Sequence, residues 1–195
     1  MSDYYQSNAK QYCSETFSID PTGFLGPLLN YLSPGASILD IGCGSGRDLL
    51  WLRNKGFQVT GFERATNLAE LARQSSGCPV IDGDFDDFDF SLLNFDGLVL
   101  VGALVHVNHN ELTKTLTNIC KALKQGGHIL ITLKEGERVR QHEDGRLFFL
   151  WNDQQLRQIF TEIGLSVVDF SRQASKIRKD DVWLGYVLRW DNGKI

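Results

Sequence analysis

The chain of 195 residues holds one methionine, four prolines and four cysteines. No apolar stretch approaches the roughly 20 residues that a membrane-spanning helix needs. The opening residues Met1-Ser2-Asp3-Tyr4 carry neither the basic nor the apolar region of a secretory signal. Cys13, Cys43, Cys78 and Cys120 are scattered and form no CxxC pair. Without an export signal they read as reduced thiols, and the expected location is the cytoplasm. An excess of positive charge is also missing: 20 Lys and Arg stand against 24 Asp and Glu, a net charge of −4. That balance disfavours broad, sequence-independent nucleic-acid binding. There is no Pro-rich linker, low-complexity tract or solenoid repeat.

What is present is the composition of a globular protein, 42% hydrophobic and 23% charged. The length suits one domain. Short apolar runs alternate with amphipathic segments. Strands are expected at Ser37–Ile41, 57–62, 79–81, Phe95–Val101 and 128–133, with helices over 48–54 and 67–75 between the earlier ones. Phe95–Val101 is apolar on both faces, as in a parallel sheet covered on both sides. Asn108 with Glu111, and Asn152 with Gln155, have the spacing of capping pairs ahead of two further helices. The last strands, 165–171 and 181–190, are joined by a polar stretch too short for a helical crossover, so they should pair antiparallel. The expected fold is α/β: a Rossmann-like, doubly wound, mostly parallel seven-stranded sheet with an antiparallel C-terminal hairpin.

The densest chemical signal is Ile38-Leu39-Asp40-Ile41-Gly42-Cys43-Gly44-Ser45-Gly46-Arg47-Asp48. A strand feeds a glycine-rich turn that opens a helix, whose first N–H groups are free to meet a ligand. About 20 residues on, Glu63 ends the second strand, where a carboxylate can accept hydrogen bonds from two ribose hydroxyls. Together they point to an adenosine-containing cofactor. No Lys follows the glycines, which excludes a Walker phosphate loop, and the spacing is GxGxG rather than the dinucleotide GxGxxG. Asp40, just before the glycines, suits a positively charged ligand better than a pyrophosphate.

This combination resembles the class I S-adenosylmethionine-dependent methyltransferases over nearly the whole chain. LDIGCGSGRD is similar to the family's first motif and VTGFE to its second, with Glu63 as the ribose carboxylate. Asp82-Gly83-Asp84-Phe85 resembles the third, which implies that Asp84 faces the adenine amino group and Phe85 packs on the ring. The resemblance also implies that Asp40, Gly42, Gly44 and Gly46 hold the aminocarboxypropyl part. Val101, ending the fourth strand, would line the methionine part, and Tyr12, on an N-terminal lid, would reach the cofactor carboxylate. LKQGG at 123–127 corresponds to the family's LKPGG turn, with Gln125 in place of proline. Arg64 departs from the small polar residue usual after the ribose carboxylate; it can lie along the adenine or face solvent. The implied layout is one methyltransferase domain over 1–195, with lid helices in 1–30, a cofactor core in 36–133, and a substrate rim with the antiparallel edge in 134–195.

Other residues carry weaker signals. His106 follows the fourth strand where the family's cleft opens; it is a candidate general base or a residue that only shapes the pocket. His106 and His109 lack the further ligands of a metal site. Asp82, Asp84 and Asp86 begin like a calcium loop, but Asp87 and Leu93 stand where Gly and Glu are required, so no metal is expected. Cys43 reads as a filler behind the glycine turn. Phe148, Phe149 and Trp151 suit either the acceptor wall or the core. The stretches 134–146 and 172–179 are charged loops by default, or an anion-binding rim for a carboxylate, a phosphate or RNA.

The function expected is methyl transfer from S-adenosylmethionine to an oxygen or nitrogen of a small-molecule acceptor, an anionic one if the charged rim binds anions, leaving S-adenosylhomocysteine. An RNA (tRNA) methyltransferase is the alternative within the enzyme class, resting on the basic stretch 172–179. A cofactor-binding partner subunit without turnover is the alternative outside it. A dinucleotide-dependent oxidoreductase fits the glycine spacing and the antiparallel edge less well.

Overall fold

The computed structural model describes residues 2–178 and 180–191. Lys179 of the basic stretch and the outermost residues of the lid and edge segments, 1 and 192–195, lie outside them. Two short helices come first, α1 (Ser2–Ser7) and α2 (Ala9–Thr16), followed by α3 (Thr22–Leu25) and a 3-10 turn over Gly26–Tyr31. Then strands and helices alternate: β1 (Ser37–Ile41), α4 (Arg47–Asn54), β2 (Gln58–Glu63), α5 (Thr66–Ser76), β3 (Val80–Asp82) and β4 (Phe95–Val101). The second half comprises α6 (Leu112–Cys120), β5 (Leu123–Lys134), β6 (Val139–Gln141), β7 (Leu147–Phe149), α7 (Asp153–Glu162), β8 (Leu165–Ala174) and β9 (Val182–Trp190).

Seven strands form one sheet in the order β3-β2-β1-β4-β5-β9-β8. The first five run parallel, and β9 pairs antiparallel with both β5 and β8. The expected hairpin is therefore present, and the reversed strand takes its inner place rather than the edge. Neighbouring residues along each strand face opposite layers, as the period of two requires. Leu39, Leu98 and Ile129 pack with α6 and α7, whereas Ile38, Val99 and Leu130 pack with α4 and α5. Both layers are apolar, which explains the unbroken apolar run of β4. Burying each such aliphatic side chain contributes about 1.5–3 kcal/mol.

One local expectation is met and three are met differently. The Asn152–Gln155 capping box is formed, the Asn152 side chain accepting from the Gln155 amide. Asn108 and Glu111 instead make a turn: the Asn108 side chain accepts from Asn110, and α6 starts after Glu111 without a side-chain cap. Gly126 and Gly127 lie in an excursion within β5, between its pairings Leu123 with Phe95 and His128 with Gly97. The segment 134–146, expected as loop, carries β6 and leads into β7, and the two form a separate two-stranded hairpin.

Candidate active site

The glycine turn lies where β1 gives way to α4. Gly42 and Gly46 have φ of 68° and 79°, the left-handed region open to glycine. A Cβ on Gly46 would stand 2.8 Å from Ala72 Cα, so the turn and α5 touch backbone to backbone. Cys43 is buried behind the turn, its sulfur 2.8 Å from where a Cβ on Gly61 would be. Burial pushes its thiol far up, which leaves it an unreactive filler.

Two carboxylates flank this turn. Asp40 is 2% exposed and its Oδ2 has no hydrogen-bond partner. Burial, then the neighbouring Asp48 charge, raises its pKa well above the ordinary value against the pull of Arg47. An unpartnered buried acceptor of this kind fits a ligand ammonium group. Glu63 is also buried. Its Oε2 accepts from the Gly44 amide at 3.0 Å and its Oε1 from the amides of Arg64 and Ala65, each at 2.9 Å. Those bonds fix the carboxylate at the end of β2, beside the turn. Burial outweighs them and raises its pKa. The residues therefore fit S-adenosylmethionine: an orphan acid for its ammonium, an anchored acid for its ribose, and a backbone a ligand can approach closely.

The N-terminal helices lie over this end. Tyr5 and Tyr12 pack on Ala65 and Leu68 of the α5 entry, and Gln6 bonds Asn67 twice. Tyr12 Cε1 would stand 3.2 Å from a Cβ on Gly44, so the ring rests on the glycine turn. The Tyr5 hydroxyl accepts from Arg146 Nη1 at 3.2 Å and meets His106 Nε2 at 2.9 Å. Arg146 also stacks over the Tyr4 ring, 3.9 Å from its centroid, which ties α1 to the β6–β7 hairpin.

Beyond Tyr12 and Val101 the space widens into a cleft of about 1170 Å³, open mouth included. Its far wall carries Phe24, Phe148 and Trp183 with Lys134, Arg178 and Asp181. Trp183 reaches back to β4: its Cη2 would lie 3.3 Å from a Cβ on Gly102. Lys134 and Asp181 are buried and joined by a 2.5 Å ion pair, and Arg140 Nη1 meets the other Asp181 oxygen at the same distance. Burial would raise the Asp181 pKa, but its two cations hold it low.

Tyr12, Asp40, Gly42, Gly44, Gly46, Glu63 and Val101 thus gather around the turn and the inner end of the cleft. Asp84 stands further out, paired with Arg64 Nη1 at 3.0 Å, and Phe85 packs against the core below α6. Arg64 is therefore occupied by Asp84. His106 does not line the cleft. Its Nδ1 is 2.5 Å from the Leu147 carbonyl, its Nε2 faces Tyr5, and burial lowers its pKa to about 4. An imidazole with both nitrogens engaged and so little basicity is poorly suited to be the general base, and its place is that of a lid contact. Phe148 lines the cleft, Trp151 is core, and Phe149 meets His109 edge to face. Arg172 belongs to β8 and pairs with Glu135, so the basic stretch is partly neutralised within the chain. Among the described residues no cluster of three His, Cys, Asp or Glu is placed to hold a metal. Lys134, Asp181 and Trp183 were not legible as individual site residues, whereas Tyr5 falls in the stretch expected as a lid. The hydrogen-bond partners of Asp181 and Tyr5 are 41 to 141 residues away in sequence, and only the apolar surroundings of Lys134 hinted at its burial.

This sheet order, glycine turn and paired acids are those expected of an S-adenosylmethionine-dependent methyltransferase. The family described as "methyltransferase domain" matches residues 22–169, and the chain belongs to it. It is 26% identical over 162 residues to the O-methyltransferase resE of Aspergillus sclerotiorum, covering 75% of this chain and 61% of that protein. It is 27% identical over 164 residues to a probable tRNA methyltransferase 9B of Bos taurus, covering 83% of this chain and 35% of that one. The chain thus spans between about a third and three fifths of these two relatives. A 1,6-didemethyltoxoflavin-N1-methyltransferase of Burkholderia thailandensis, solved with S-adenosylhomocysteine, superposes with a TM-score of 0.79. It is 19% identical, with 98% of this chain and 87% of that one covered. The chain therefore carries a methyltransferase domain in the fold of that solved enzyme.

Proposed function

We propose that the protein methylates an oxygen or nitrogen of a small-molecule acceptor bound in the cleft between the lid and the β6–β7 hairpin. The observation that carries this reading is the continuity of that cleft with the glycine turn: Tyr12, Arg47 and Val101 line its inner end, Trp183 and Lys134 its outer end. S-adenosylmethionine, when bound, supplies a sulfonium methyl already activated for in-line displacement. The chain's own task is then to position and to exclude water. Asp40 would take the ammonium, Glu63 the ribose hydroxyls, and Asp84 the adenine amino group if Arg64 yields. Tyr12 and Tyr5 close the inner end, and Trp183 against Gly102 sets the distance from acceptor ring to β4. In this reading residues 1–30 act as lid, 36–133 as cofactor core and 134–195 as acceptor rim within one domain.

A small acceptor is favoured over RNA because the exposed rim cations are paired within the chain: Arg172 with Glu135 and Lys176 with Asp20. No helix among the described residues is long and apolar enough to cross a membrane. The free thiols fit a reducing compartment, and we place the protein in the cytoplasm.

The test is calorimetric binding of S-adenosylhomocysteine to the wild type and to Glu63→Gln, followed by radiolabelled methyl transfer to panels of small acceptors and to RNA. Micromolar affinity weakened at least tenfold in the variant, with turnover on a small acceptor, is expected. Binding without turnover on any panel would point to a non-catalytic subunit. Transfer to RNA alone would overturn the small-acceptor reading.

A further inference from the structure

The outer end of the cleft holds a buried cation with donors to spare. Lys134 is 6% exposed, and among the described residues its ammonium makes one hydrogen bond, to Asp181 Oδ2. Its nitrogen also lies over two aromatic rings, 4.2 Å from the Phe148 centroid and 5.4 Å from that of Trp183. Ring faces attract an ammonium but do not saturate it as an oxygen does. The single carboxylate in contact also serves Arg140, so two cations share one anion. Arg178 lines the same wall, and its nearest polar contact among the described residues is His142 Nε2. The other carboxylates on the cleft wall belong to the lid: Asp20 caps α3 and pairs with Lys176, and Glu15 accepts from Gln11. Arg146, next along, is held by Asp144. The wall around Trp183 is therefore aromatic and carries uncompensated positive charge.

The same cleft lacks a proton acceptor suited to neutral pH. Among the described residues no histidine lines it, and Asp181 is occupied by its two cations. Tyr5 and Tyr12 are pushed towards the protonated form by burial.

Resting on the methyl-transfer reading above, we propose that the acceptor is a phenol bound as its phenolate: the ring lies on Trp183 beside Phe148, and the ionised oxygen takes the free N–H bonds of Lys134, with Arg178 at its side. The oxygen lone pair forms the new C–O bond to the methyl carbon. The C–S bond breaks with its electrons going to sulfur, a neutral thioether and an aryl methyl ether result, and no proton changes place. This explains how the site works without a base. An adjacent cation lowers the pKa of an acidic group by one to three units, enough to populate a phenolate near neutral pH. Asp181 is a positioning residue that holds the ammonium at the wall.

The test uses 4-nitrophenol, whose ionised form absorbs visible light, titrated with pH in the presence of protein saturated with S-adenosylhomocysteine. Bound to the wild type, the probe should ionise at least one pH unit below the free compound. Lys134→Met should abolish the shift, and Asp181→Asn should enlarge it by removing the competing anion, an effect that a merely structural role would not produce. Should Lys134→Met fail to fold, Arg178→Gln, on the loop between β8 and β9, should reduce phenolate binding at least threefold. A cofactor-loaded protein that does not bind the probe, or leaves its ionisation unshifted, overturns the phenolate proposal and leaves the methyltransferase reading standing. Failure of S-adenosylhomocysteine itself to bind in calorimetry overturns both.

Discussion

Replacing Asp40 with Asn should make the ligand-free protein more stable while making it a poorer binder. Asp40 Oδ2 is buried without a partner, with Asp48 and Glu63 as like charges nearby. An unsatisfied buried polar group costs about 1–3 kcal/mol, and more when charged. Arg47, bonded to Asp48 through Nε at 2.7 Å, offsets part of this from a distance. Removing the charge should return about 1–3 kcal/mol, a rise of roughly 3–9 °C in Tm for a domain of this size. The sign with pH follows. The folded pKa lies above the ordinary 3.8, so the native state holds its proton longer than the unfolded chain. Wild-type stability therefore falls as pH rises from about 4, and the gap between variant and wild type widens over the same interval. In the complex the charge meets the ligand ammonium, and a charge-assisted hydrogen bond contributes about 1.5–3 kcal/mol. Affinity for S-adenosylmethionine should thus drop by about 10- to 150-fold in Asp40→Asn. Scanning calorimetry across pH and titration calorimetry at pH 7 read the two effects. A variant less stable than wild type, or one that binds as tightly, would refute this account of Asp40.

Further outcomes are expected elsewhere. His106 is held neutral in the closed lid with a pKa of about 4, against 6.5 when free, and Arg146, Lys134 and Arg64 all push it the same way. The packing of α1 against His106 is fully favoured above pH 6.5 and loses about 1–2 kcal/mol by pH 5 after allowance for screening, so hydrogen-exchange protection factors in α1 and α2 should fall there. Tyr5→Phe should weaken that pH dependence; an unchanged profile would detach His106 from the lid. Gly46→Ala forces a side chain into φ of 79° and onto Ala72, and should lower Tm by about 5 °C or more. Asn152→Ala removes half of a capping box whose residues do not line the cleft. It should cost about 1 kcal/mol in chemical denaturation and leave S-adenosylhomocysteine affinity unchanged.

The parts of this molecule that could be read in the sequence are those whose physics is local. The SILDI strand, the glycine turn and Glu63 form one contiguous arrangement, so their spacing alone placed them. The apolar run of β4 announced a strand covered on both faces, and the short polar link 172–180 announced the antiparallel pairing. The β6–β7 hairpin escaped because each strand has three residues, amid charges that match a solvated loop. Asn108 and Glu111 had the spacing of a cap, but the Asn108 side chain bonded its own turn instead. His106 was placed at the cleft by chain position. Its engagement by Tyr5 and by Leu147, 41 residues on, depends on how two distant segments dock, which no periodicity encodes.

The reversal of β9 has a consequence for how this protein changes its chemistry over time. A strand parallel to its neighbours offers the upper rim of a sheet only the loop it runs into. Because β9 runs the other way, the rim receives its first residues, and Lys134 at the exit of β5 sits opposite Trp183 at the entry of β9. The whole β8–β9 turn, with Arg178 and Asp181, opens onto the same side. In the proposed reading the acceptor half is thus built from two surface connections that can lengthen, shorten or swap charges, while the turn and acids at β1 and β2 stay as they are. Under that reading new acceptors can be explored there at little risk to the hold on the methyl donor.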